Sequence, residues 1–211
     1  MAADTAVAVL VGGRSRRMGG RAKAALPLGG RTVLERVLHE ADGLGCPVGL
    51  VAGREAAADG DELARLLERL GRPVVRDLHA DAGPLGGLEA AFAATGAGRV
   101  LLLACDLPFL TLPFLSWLVS QDSGIQALVP SEEDDRCHPL CAVYPASCRG
   151  ELRNRIEARR LRVHDFVRAI GARLLPRPQW QRFDADGRLL ANLNEPADYR
   201  RAMRWLGETG E

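Results

Sequence analysis

A glycine-rich, cationic segment follows the first apolar run of the chain and carries the residues best suited to chemistry. Residues 10–23 read LVGGRSRRMGGRAK and overlap the end of the apolar run TAVAVLV at residues 5–11. A strand that ends in such a loop brings backbone N–H groups and positive side chains together, where they can bind a polyphosphate. The alternative is an ordinary glycine-rich turn with solvated arginines. The segment matches neither the Walker A pattern nor G-x-G-x-x-G.

Lys23 is set apart from the other cationic residues by the composition of the chain. Of the 28 lysine and arginine residues, 27 are arginine, so Lys23 is the only lysine. Where arginine is used everywhere else, a retained lysine indicates a place that needs a compact ammonium group on a flexible stem. Its position directly behind the glycine-rich segment favours a role in phosphate chemistry.

The order of residues in this segment resembles the signature of a known enzyme family. Residues 10–19, LVGGRSRRMG, with Lys23 behind them, are similar to the pattern L-A-G-G-x-S-x-R-M-G…D-K of MobA-type nucleotidyltransferases, the molybdenum cofactor guanylyltransferases. Ala22 departs from the pattern, since the family usually has aspartate there. The resemblance implies a single-domain, Rossmann-like α/β fold, a three-layer sandwich with a mostly parallel central sheet. It also implies transfer of GMP from GTP to molybdopterin, with or without molybdenum, and release of pyrophosphate.

Composition indicates a globular chain of one-domain size. Its 211 residues, 47% hydrophobic and 26% charged, are enough to bury a substantial core. The net charge of +1 excludes a strong general attraction to nucleic acid or to an acidic membrane. We find no bilayer-spanning apolar run and no signal-peptide start, so we expect a cytoplasmic protein. The five irregularly spaced cysteines predict buried thiols, with neither a disulfide framework nor a zinc site.

Alternating strand and helix patterns predict parallel βαβ units. Apolar runs at residues 47–52 and 73–75 are typical of strands, and a capping box from Thr32 to Glu35 opens a helix between the first two strands. A second helix with leucines at helical spacing begins at Asp61. In such sheets the crossovers are right-handed, and ligands bind beyond the carboxyl ends of the strands. We expect residues 1–110 to form a nucleotide-binding half and residues 111–211 an acceptor-binding half of one domain.

Asp106 follows the strongest predicted strand, VLLLA at residues 100–104, which is apolar on both faces and therefore expected at the centre of the sheet. A carboxylate at the tip of that strand can hold Mg²⁺ against nucleotide phosphates, because Mg²⁺ commonly uses one or two carboxylates plus phosphate oxygens. An aspartate at this position can also be a helix cap or a turn residue. The family has D-x-P here, and the resemblance implies that Asp106 is its metal-binding aspartate.

A second block combines Asp77 with the sequence GPLGGL at residues 83–88, which precedes a helix predicted over residues 89–95. By itself this block is typical of a Gly/Pro turn. It resembles the second block of the family, and the resemblance implies recognition of the base and ribose near Asp77. It also implies acceptor binding by the turn, at Gly83, Pro84, Leu85 and Gly86.

The last third of the chain contains two further blocks. Residues 138–144, HPLCAVY, resemble the family pattern H-P-L-x-A-x-Y; His138 either lines the acceptor pocket or is a hydrogen-bonded structural histidine. Residues 192–198, NLNEPAD, resemble N-x-N-T-P-x-D, with glutamate in place of threonine, although Asn before Pro is also an ordinary helix start. The resemblance implies that Asn192 and Asn194 return to the active site beside the metal. Between these blocks, residues 149–177 carry nine arginines against three acids, and a subset could bind a phosphorylated acceptor.

These residues suit nucleotidyl transfer, which needs positioning and charge neutralisation rather than a side-chain nucleophile. The resemblance implies roles for the segment around residues 10–23. Arg17 would face the leaving pyrophosphate, and Lys23 the α-phosphate, with Mg²⁺ on Asp106. The nucleotide-binding residues of this segment would be Leu10, Val11, Gly12, Gly13, Ser15 and Lys23.

Several alternatives remain open at the level of sequence. The nearest is a CTP-dependent cytidylyltransferase, which typically has L-A-A-G where residues 10–13 read LVGG. Others are a nucleotidyltransferase for another small phosphate, a non-catalytic GTP- or cofactor-binding module, and a dinucleotide-binding oxidoreductase, which the missing G-x-G-x-x-G argues against. The expected partners are GTP and molybdopterin, with transient contacts to other cofactor-biosynthesis proteins or molybdoenzymes.

Overall fold

Nine strands are present in the computed structural model, which describes residues 4–12, 22–53, 61–121, 125–132 and 136–207. In chain order they are β1 (Thr5–Val11), β2 (Pro27–Leu28), β3 (Arg31–Thr32), β4 (Val48–Ala52), β5 (Val74–Arg76), β6 (Arg99–Ala104), β7 (Leu128–Ser131), β8 (Cys141–Pro145) and β9 (Arg173–Pro176). Strands β2 and β3 form a short hairpin, and the other seven form one sheet of order β5-β4-β1-β6-β8-β7-β9. Strand β6 lies at its centre, as the sequence predicts.

Eight α-helices connect and cover these strands in the described part of the chain. They are α1 (Val33–Asp42), α2 (Asp61–Leu70), α3 (Gly83–Thr95), α4 (Leu112–Ser120), α5 (Arg149–Glu157), α6 (Val163–Ala169), α7 (Arg177–Trp180) and α8 (Pro196–Trp205). None of the helices in the described residues has the length and apolarity needed to cross a membrane.

The sheet is mostly parallel, which confirms the predicted α/β class. Strand β1 pairs in parallel with both β4 and β6, and β4 pairs in parallel with β5. Strand β8 is antiparallel to β6 and β7, while β7 and β9 are parallel to each other. All the strands of the sheet except β8 therefore point the same way.

The side chains of β1 point alternately to the two faces of the sheet, and helices cover both faces, so the fold has three layers. Val7, Val9 and Val11 pack on one face with buried residues of α1, α2 and α4, whereas Ala8 and Leu10 pack on the other face with residues of α3, α5 and α6. Successive side chains of a strand point to opposite faces, so an apolar strand such as β1 builds two cores. The predicted three-layer sandwich is confirmed.

Helix α1 begins with the capping box that the sequence predicts. The Thr32 hydroxyl accepts a hydrogen bond from the Glu35 amide, and the Glu35 carboxylate accepts one from the Thr32 amide, which completes the predicted capping box. These bonds lower the pKa of Glu35, against an opposing effect of burial.

The prediction for the GPLGGL block is wrong at its boundary. Helix α3 begins at Gly83 rather than at residue 89, so the block forms the first turns of the helix and not a turn before it. Pro84 is compatible with the first turn because the N–H groups there have no partner within the helix. Gly29 and Gly30, both at positive φ, form the turn of the hairpin between β2 and β3.

The C-terminal helix α8 packs against that hairpin. A separate apolar cluster joins Leu28 and Val33 to Leu193 and Ala202, with Tyr199 at its margin. Because the hairpin directly follows residues 23–25 and α8 directly follows the Asn192 block, this contact brings two distant parts of the chain to the same side of the sheet.

Candidate active site

The carboxyl ends of six strands meet at one edge of the sheet, which we call the carboxyl edge. The reversed direction of β8 leaves β5, β4, β1, β6, β7 and β9 ending together. The residues that directly follow these ends are Gly12, Gly53, Asp77, Cys105, Glu132 and Arg177. In open α/β sheets ligands bind outside this edge, so these residues and their neighbours are candidates for the site.

Lys23, Asp106 and Asn194 meet at the centre of the carboxyl edge, and we call them the Lys23 cluster. The Lys23 ammonium donates a hydrogen bond of 3.1 Å to Asn194 Oδ1, and it lies 3.9 Å from Asp106 Oδ2. The Lys23 and Asp106 side chains are each 20% exposed, so ligands can reach both charges. The structure thus brings together three residues that the sequence separates by up to 171 positions.

Backbone contacts hold the segments that carry this cluster. The Leu193 amide donates to the Asp106 carbonyl at 3.0 Å, and the Cys105 amide donates to the Leu10 carbonyl at 3.1 Å. The first bond fixes the segment before Asn194 to the tip of β6, and the second fixes that tip to the end of β1. The geometry of the cluster is therefore set by main-chain atoms as well as by charge.

Asp198 orients the turn that presents Asn194. Its carboxylate accepts hydrogen bonds from the amides of Asn194 and Glu195, at 3.0 and 2.9 Å, in the first turn of α8. An aspartate in this position also interacts favourably with the helix dipole. On the other side of the cluster, Ala22 is buried in the core, so Lys23 is oriented by Asn194 and Asp106.

The charges of the cluster influence one another. Burial raises the pKa of Asp106, and the nearby Lys23 ammonium opposes that rise. Among the described residues there is no group of three or more His, Cys, Asp or Glu side chains that could hold a metal ion. A cation at Asp106 would therefore take most of its ligands from phosphate oxygens and water, an arrangement that Mg²⁺ commonly adopts.

Asp77 lies at the β5 end of the carboxyl edge and is buried, with 6% exposure. Its carboxylate accepts a hydrogen bond of 2.9 Å from the His79 amide. A Cβ atom on Gly86 would lie 2.4 Å from both Asp77 carboxylate oxygens, so only glycine allows this approach. Of the predicted acceptor-binding residues in the same block, Leu85 and Gly86 are buried, whereas Gly83 is exposed.

A second charged group, which we call the Glu132 cluster, occupies the opposite end of the carboxyl edge. His138 Nε2 lies 3.0 Å from Glu132 Oε1, and Arg177 donates to Glu132 at 2.9 Å and to the buried Asp184 at 3.1 Å. Burial raises the pKa of Glu132, but hydrogen bonds from Arg177 and His138 outweigh it, so the pKa is lowered overall. Predicted as a possible acceptor contact, His138 thus lies at the carboxyl edge with one ring nitrogen bound to a carboxylate.

Several of the nine arginines of residues 149–177 are paired with acids. Arg153, Arg155, Arg168 and Arg177 are among those that form an ion pair with a carboxylate. An arginine that already binds a carboxylate has fewer N–H donors left for a phosphate. These four arginines are therefore weaker candidates for binding the phosphorylated acceptor.

All five cysteines are free thiols; Cys105, Cys141 and Cys148 are buried, as the sequence predicts, whereas Cys46 and Cys137 are half-buried. Burial raises the pKa of Cys105 to about 12, with a further contribution from Asp106. Burial also raises the pKa of Cys148 to about 12. Thiols with such pKa values are neutral near pH 7 and are therefore weak nucleophiles.

Part of the predicted site lies outside the described residues. Gly13, Ser15 and Arg17 belong to residues 13–21, so their predicted roles stay predictions. Of the flanking residues, Val11 is buried and Gly12 is exposed, with Gly12 at a left-handed φ of +101°. Asn192 is exposed in the segment before α8.

Sequence reasoning missed the residues that support the site. Glu132 belongs to an acidic run that is typical of a solvated turn, and its partner Arg177 lies 45 residues away. Glu89 is the other omission, although a single charged residue in the apolar sequence GPLGGLEAAFAAT of α3 is a usable signal. Asp198 is part of a recognised block, but its bond to the Asn194 turn follows only from the structure.

The family of MobA-like NTP transferase domains matches residues 7–174 of the chain. A molybdenum cofactor guanylyltransferase from Mesorhizobium japonicum is 37% identical over 179 residues, which cover 81% of this chain and 82% of that protein. A second molybdenum cofactor guanylyltransferase, from Cereibacter sphaeroides, is 36% identical over 94% of this chain and 95% of its own length.

Solved structures show the same fold. The molybdopterin-guanine dinucleotide biosynthesis protein A of Archaeoglobus fulgidus superposes with a TM-score of 0.81 at 27% identity, over 96% of this chain and 98% of that one. The resemblance inferred from residues 10–23 is thus supported by matches that extend over nearly the whole chain.

Proposed function

Because the chain belongs to the MobA-like NTP transferase family, we propose that it transfers GMP from GTP to molybdopterin. A phosphate oxygen of the acceptor attacks the α-phosphorus of GTP, the bond from that phosphorus to the bridging oxygen breaks, and pyrophosphate leaves. The product is a molybdopterin guanine dinucleotide. The observation that carries the proposal is the Lys23 cluster, where an ammonium, a carboxylate and an amide converge at the carboxyl edge.

Lys23 neutralises the negative charge that grows on the α-phosphate oxygens during transfer. Removing one preorganised donor of this kind typically lowers a rate by about 10²–10³-fold. Asn194 Oδ1 accepts one hydrogen bond from Lys23 and leaves the other two N–H donors of the ammonium for phosphate. Orientation by a neutral amide keeps the charge of Lys23 available.

Asp106 would hold a divalent cation together with the phosphates of GTP, and we propose Mg²⁺ for this site. When bound, the ion supplies Lewis-acid neutralisation of phosphate charge. The carboxylate is partly exposed. Its pKa is raised because Lys23 does not fully compensate for the burial of the negative charge. Binding a cation here would provide that compensation.

The remaining residues divide between the two substrates. We assign the phosphates of GTP to the segment of Leu10, Val11, Gly12, Gly13, Ser15 and Arg17, and the base and ribose to the neighbourhood of Asp77. Gly83 and Pro84, with the backbone at Leu85 and Gly86, are assigned to the acceptor, together with His138, Asn192 and Asn194. In this proposal residues 1–110 bind mainly the nucleotide, and residues 111–211 mainly molybdopterin.

Transfer of a labelled nucleotide tests the proposal directly. The protein is incubated with molybdopterin, MgCl₂ and GTP labelled at the α-phosphate, and in parallel with CTP or ATP carrying the same label. We expect label in a dinucleotide product only with GTP, with one pyrophosphate released per product. Product from CTP alone would assign the chain to cytidylyl transfer, and GTP binding without acceptor-dependent pyrophosphate would indicate a non-catalytic binding module.

A further inference from the structure

Glu89 is a buried charge that the proposed reaction does not use. It lies in the middle of α3, and it is the only charged residue in that helix, whose other residues are mostly alanine, glycine and leucine. Its exposure is 6%. A buried carboxylate is costly unless it is paired, so its partners show what it does in the structure.

Those partners come from two different segments. His79, in the loop between β5 and α3, places Nε2 at 2.8 Å from Glu89 Oε2, a close ion-pair contact that lacks the geometry of a hydrogen bond. Arg153, on α5, donates from Nε to Glu89 Oε1 at 3.0 Å. Glu89 therefore joins a loop at the carboxyl edge to a helix that follows β8 in the second half of the chain.

The same two segments touch at a second point. The Arg159 guanidinium, just after α5, donates a hydrogen bond of 3.0 Å to the carbonyl of Ala80. Within the loop, the His79 amide donates to the Asp77 carboxylate at 2.9 Å, so the residue that contacts Glu89 also fixes Asp77. A chain of contacts thus runs from Arg153 through Glu89 and His79 to Asp77.

Backbone strain is concentrated in these segments. Among the described residues, the non-glycine residues with positive φ are Asp81, at +55°, and Arg159, at +54°. Such conformations persist only where the surrounding contacts determine them, and they cluster at functional sites. Asp81 follows Ala80, and Arg159 is the residue that binds Ala80, so both strained residues lie at the same junction.

We propose that Glu89 is a positioning residue that holds the loop of residues 77–82 against α5 and so fixes Asp77 for the nucleotide. The inference rests on the proposed function, in which this loop borders the base and ribose of GTP and the segment after α5 belongs to the acceptor-binding half. Loss of Arg153, on the far side of the junction, would therefore weaken binding of GTP.

The test uses the full chain with His79→Ala, Arg153→Ala and the double variant. Both side chains are partly exposed, at 41% and 54%, so the variants should fold. Arg72→Ala is the matched control, because it also removes an arginine–carboxylate pair, to Asp42, but at the amino end of β5 and away from the carboxyl edge. The measurements are the Kd of MgGTP by calorimetry, the KM values and kcat of transfer, and deuterium uptake of residues 77–82.

We expect each single variant to raise the Kd and the KM for GTP about fivefold to tenfold, since each leaves the buried carboxylate short of a partner. Both variants break the same chain of contacts, so their effects should not add. The double variant should bind GTP no more weakly than the single variant with the lower affinity. The kcat at saturation should change by less than about twofold, and Arg72→Ala should resemble wild type.

Two results would overturn the inference: GTP affinity at the wild-type level in Arg153→Ala, or effects that multiply in the double variant. If the wild-type protein neither binds GTP nor transfers GMP, the proposed function fails, and deuterium uptake then decides the positioning role alone. Faster uptake of residues 77–82 in Arg153→Ala, and not in Arg72→Ala, would support that role. Unchanged uptake would exclude it.

Discussion

Two charged clusters lie at the carboxyl edge, and they differ in how far their charges are satisfied. In the Glu132 cluster, Arg177 binds two carboxylates at 2.9 and 3.1 Å, and one of them also contacts His138. In the Lys23 cluster, the ammonium and the Asp106 carboxylate are 3.9 Å apart, and Lys23 makes its hydrogen bond to a neutral amide. The charges of the Glu132 cluster pair at hydrogen-bond distance, whereas the two opposite charges of the Lys23 cluster do not.

The difference shows in the pKa shifts of the two carboxyl groups. Arg177 and His138 lower the pKa of Glu132 in spite of burial, whereas burial raises the pKa of Asp106 in spite of Lys23. A carboxylate that is favoured in the free protein contributes to stability, and one that is disfavoured gains from binding a cation. Position at the carboxyl edge alone therefore does not identify a catalytic charge.

The largest effect is expected for Lys23→Ala. Transfer of GMP should fall about 10²–10³-fold, because the growing charge on the α-phosphate loses its preorganised donor. The unfolding midpoint without ligand should stay close to wild type, since the ion pair with Asp106 is long, at 3.9 Å, and both side chains are partly exposed. Steady-state kinetics and thermal unfolding measure the two quantities. A large loss of stability would mean that this cluster is structural after all.

Asp106→Asn should separate stability from activity. The substitution removes a carboxylate whose ionised form is disfavoured by burial, so the unfolding midpoint without ligand should stay the same or rise. Transfer, and stabilisation by MgGTP, should be lost because the site for the cation loses its charge. Calorimetric scans with and without MgGTP test both expectations, and a variant that MgGTP still stabilises as it does wild type would exclude Asp106 as the metal ligand.

Arg177→Ala should show the opposite behaviour. It leaves the buried Asp184 without its charged partner, and a buried acceptor that loses one partner typically costs about 1–3 kcal/mol. The kcat per folded molecule should remain near wild type below the unfolding midpoint. Urea unfolding measures the change in the free energy of unfolding. If activity fell and stability did not, Arg177 would belong to the acceptor-binding subset.

A dependence on pH should follow from Glu132. Its pKa is lowered in the folded protein, so its contribution to stability is present above its ordinary pKa of 4.5 and is lost as pH falls through the lowered value. The variant Glu132→Gln should therefore be less stable than wild type at pH 7, with a difference that shrinks in acid. Urea unfolding between pH 7 and pH 3 would show this, and a difference independent of pH would contradict it.

The smallest effect is expected for His138→Ala. If His138 lines the acceptor pocket, its loss should cost about 1 kcal/mol of binding energy for molybdopterin. The KM for molybdopterin should then rise roughly fivefold, while the KM for GTP stays unchanged. Kinetics with each substrate varied in turn measure the two constants. A loss of stability with both constants unchanged would identify His138 as a structural histidine of the Glu132 cluster.

The local elements could be predicted from sequence because their signals are local. The limits of β1 follow from an apolar run, the start of α1 from a capping box, and the central position of β6 from its two apolar faces. The start of α3 was missed because glycine and proline favour turns by their own propensities. Burial of Leu85 and contact of Gly86 with Asp77 decide that segment instead.

Residues of the site could be predicted only where composition, strand position or a motif indicated them. Lys23 and Asp106 can be suggested from composition and from strand position, but the hydrogen bond from Lys23 to Asn194 joins residues 171 apart. No periodicity indicates such a contact; the resemblance to a family implied only that the Asn194 turn returns to the active site beside the metal. The contacts of Glu89 with His79 and Arg153 had no matching pattern, so only the packing of α3 against α5 reveals them.

Thermal unfolding of wild type and Lys23→Ala, with MgGTP or MgCTP, tests the central claim that the Lys23 cluster binds the guanine nucleotide. A ligand at a hundredfold its Kd adds about 2.7 kcal/mol to the stability of a protein that binds it. We predict that MgGTP stabilises the wild type by about this amount, that MgCTP does not, and that Lys23→Ala loses most of the effect. Equal stabilisation of the variant, or stabilisation by MgCTP instead, would contradict the account.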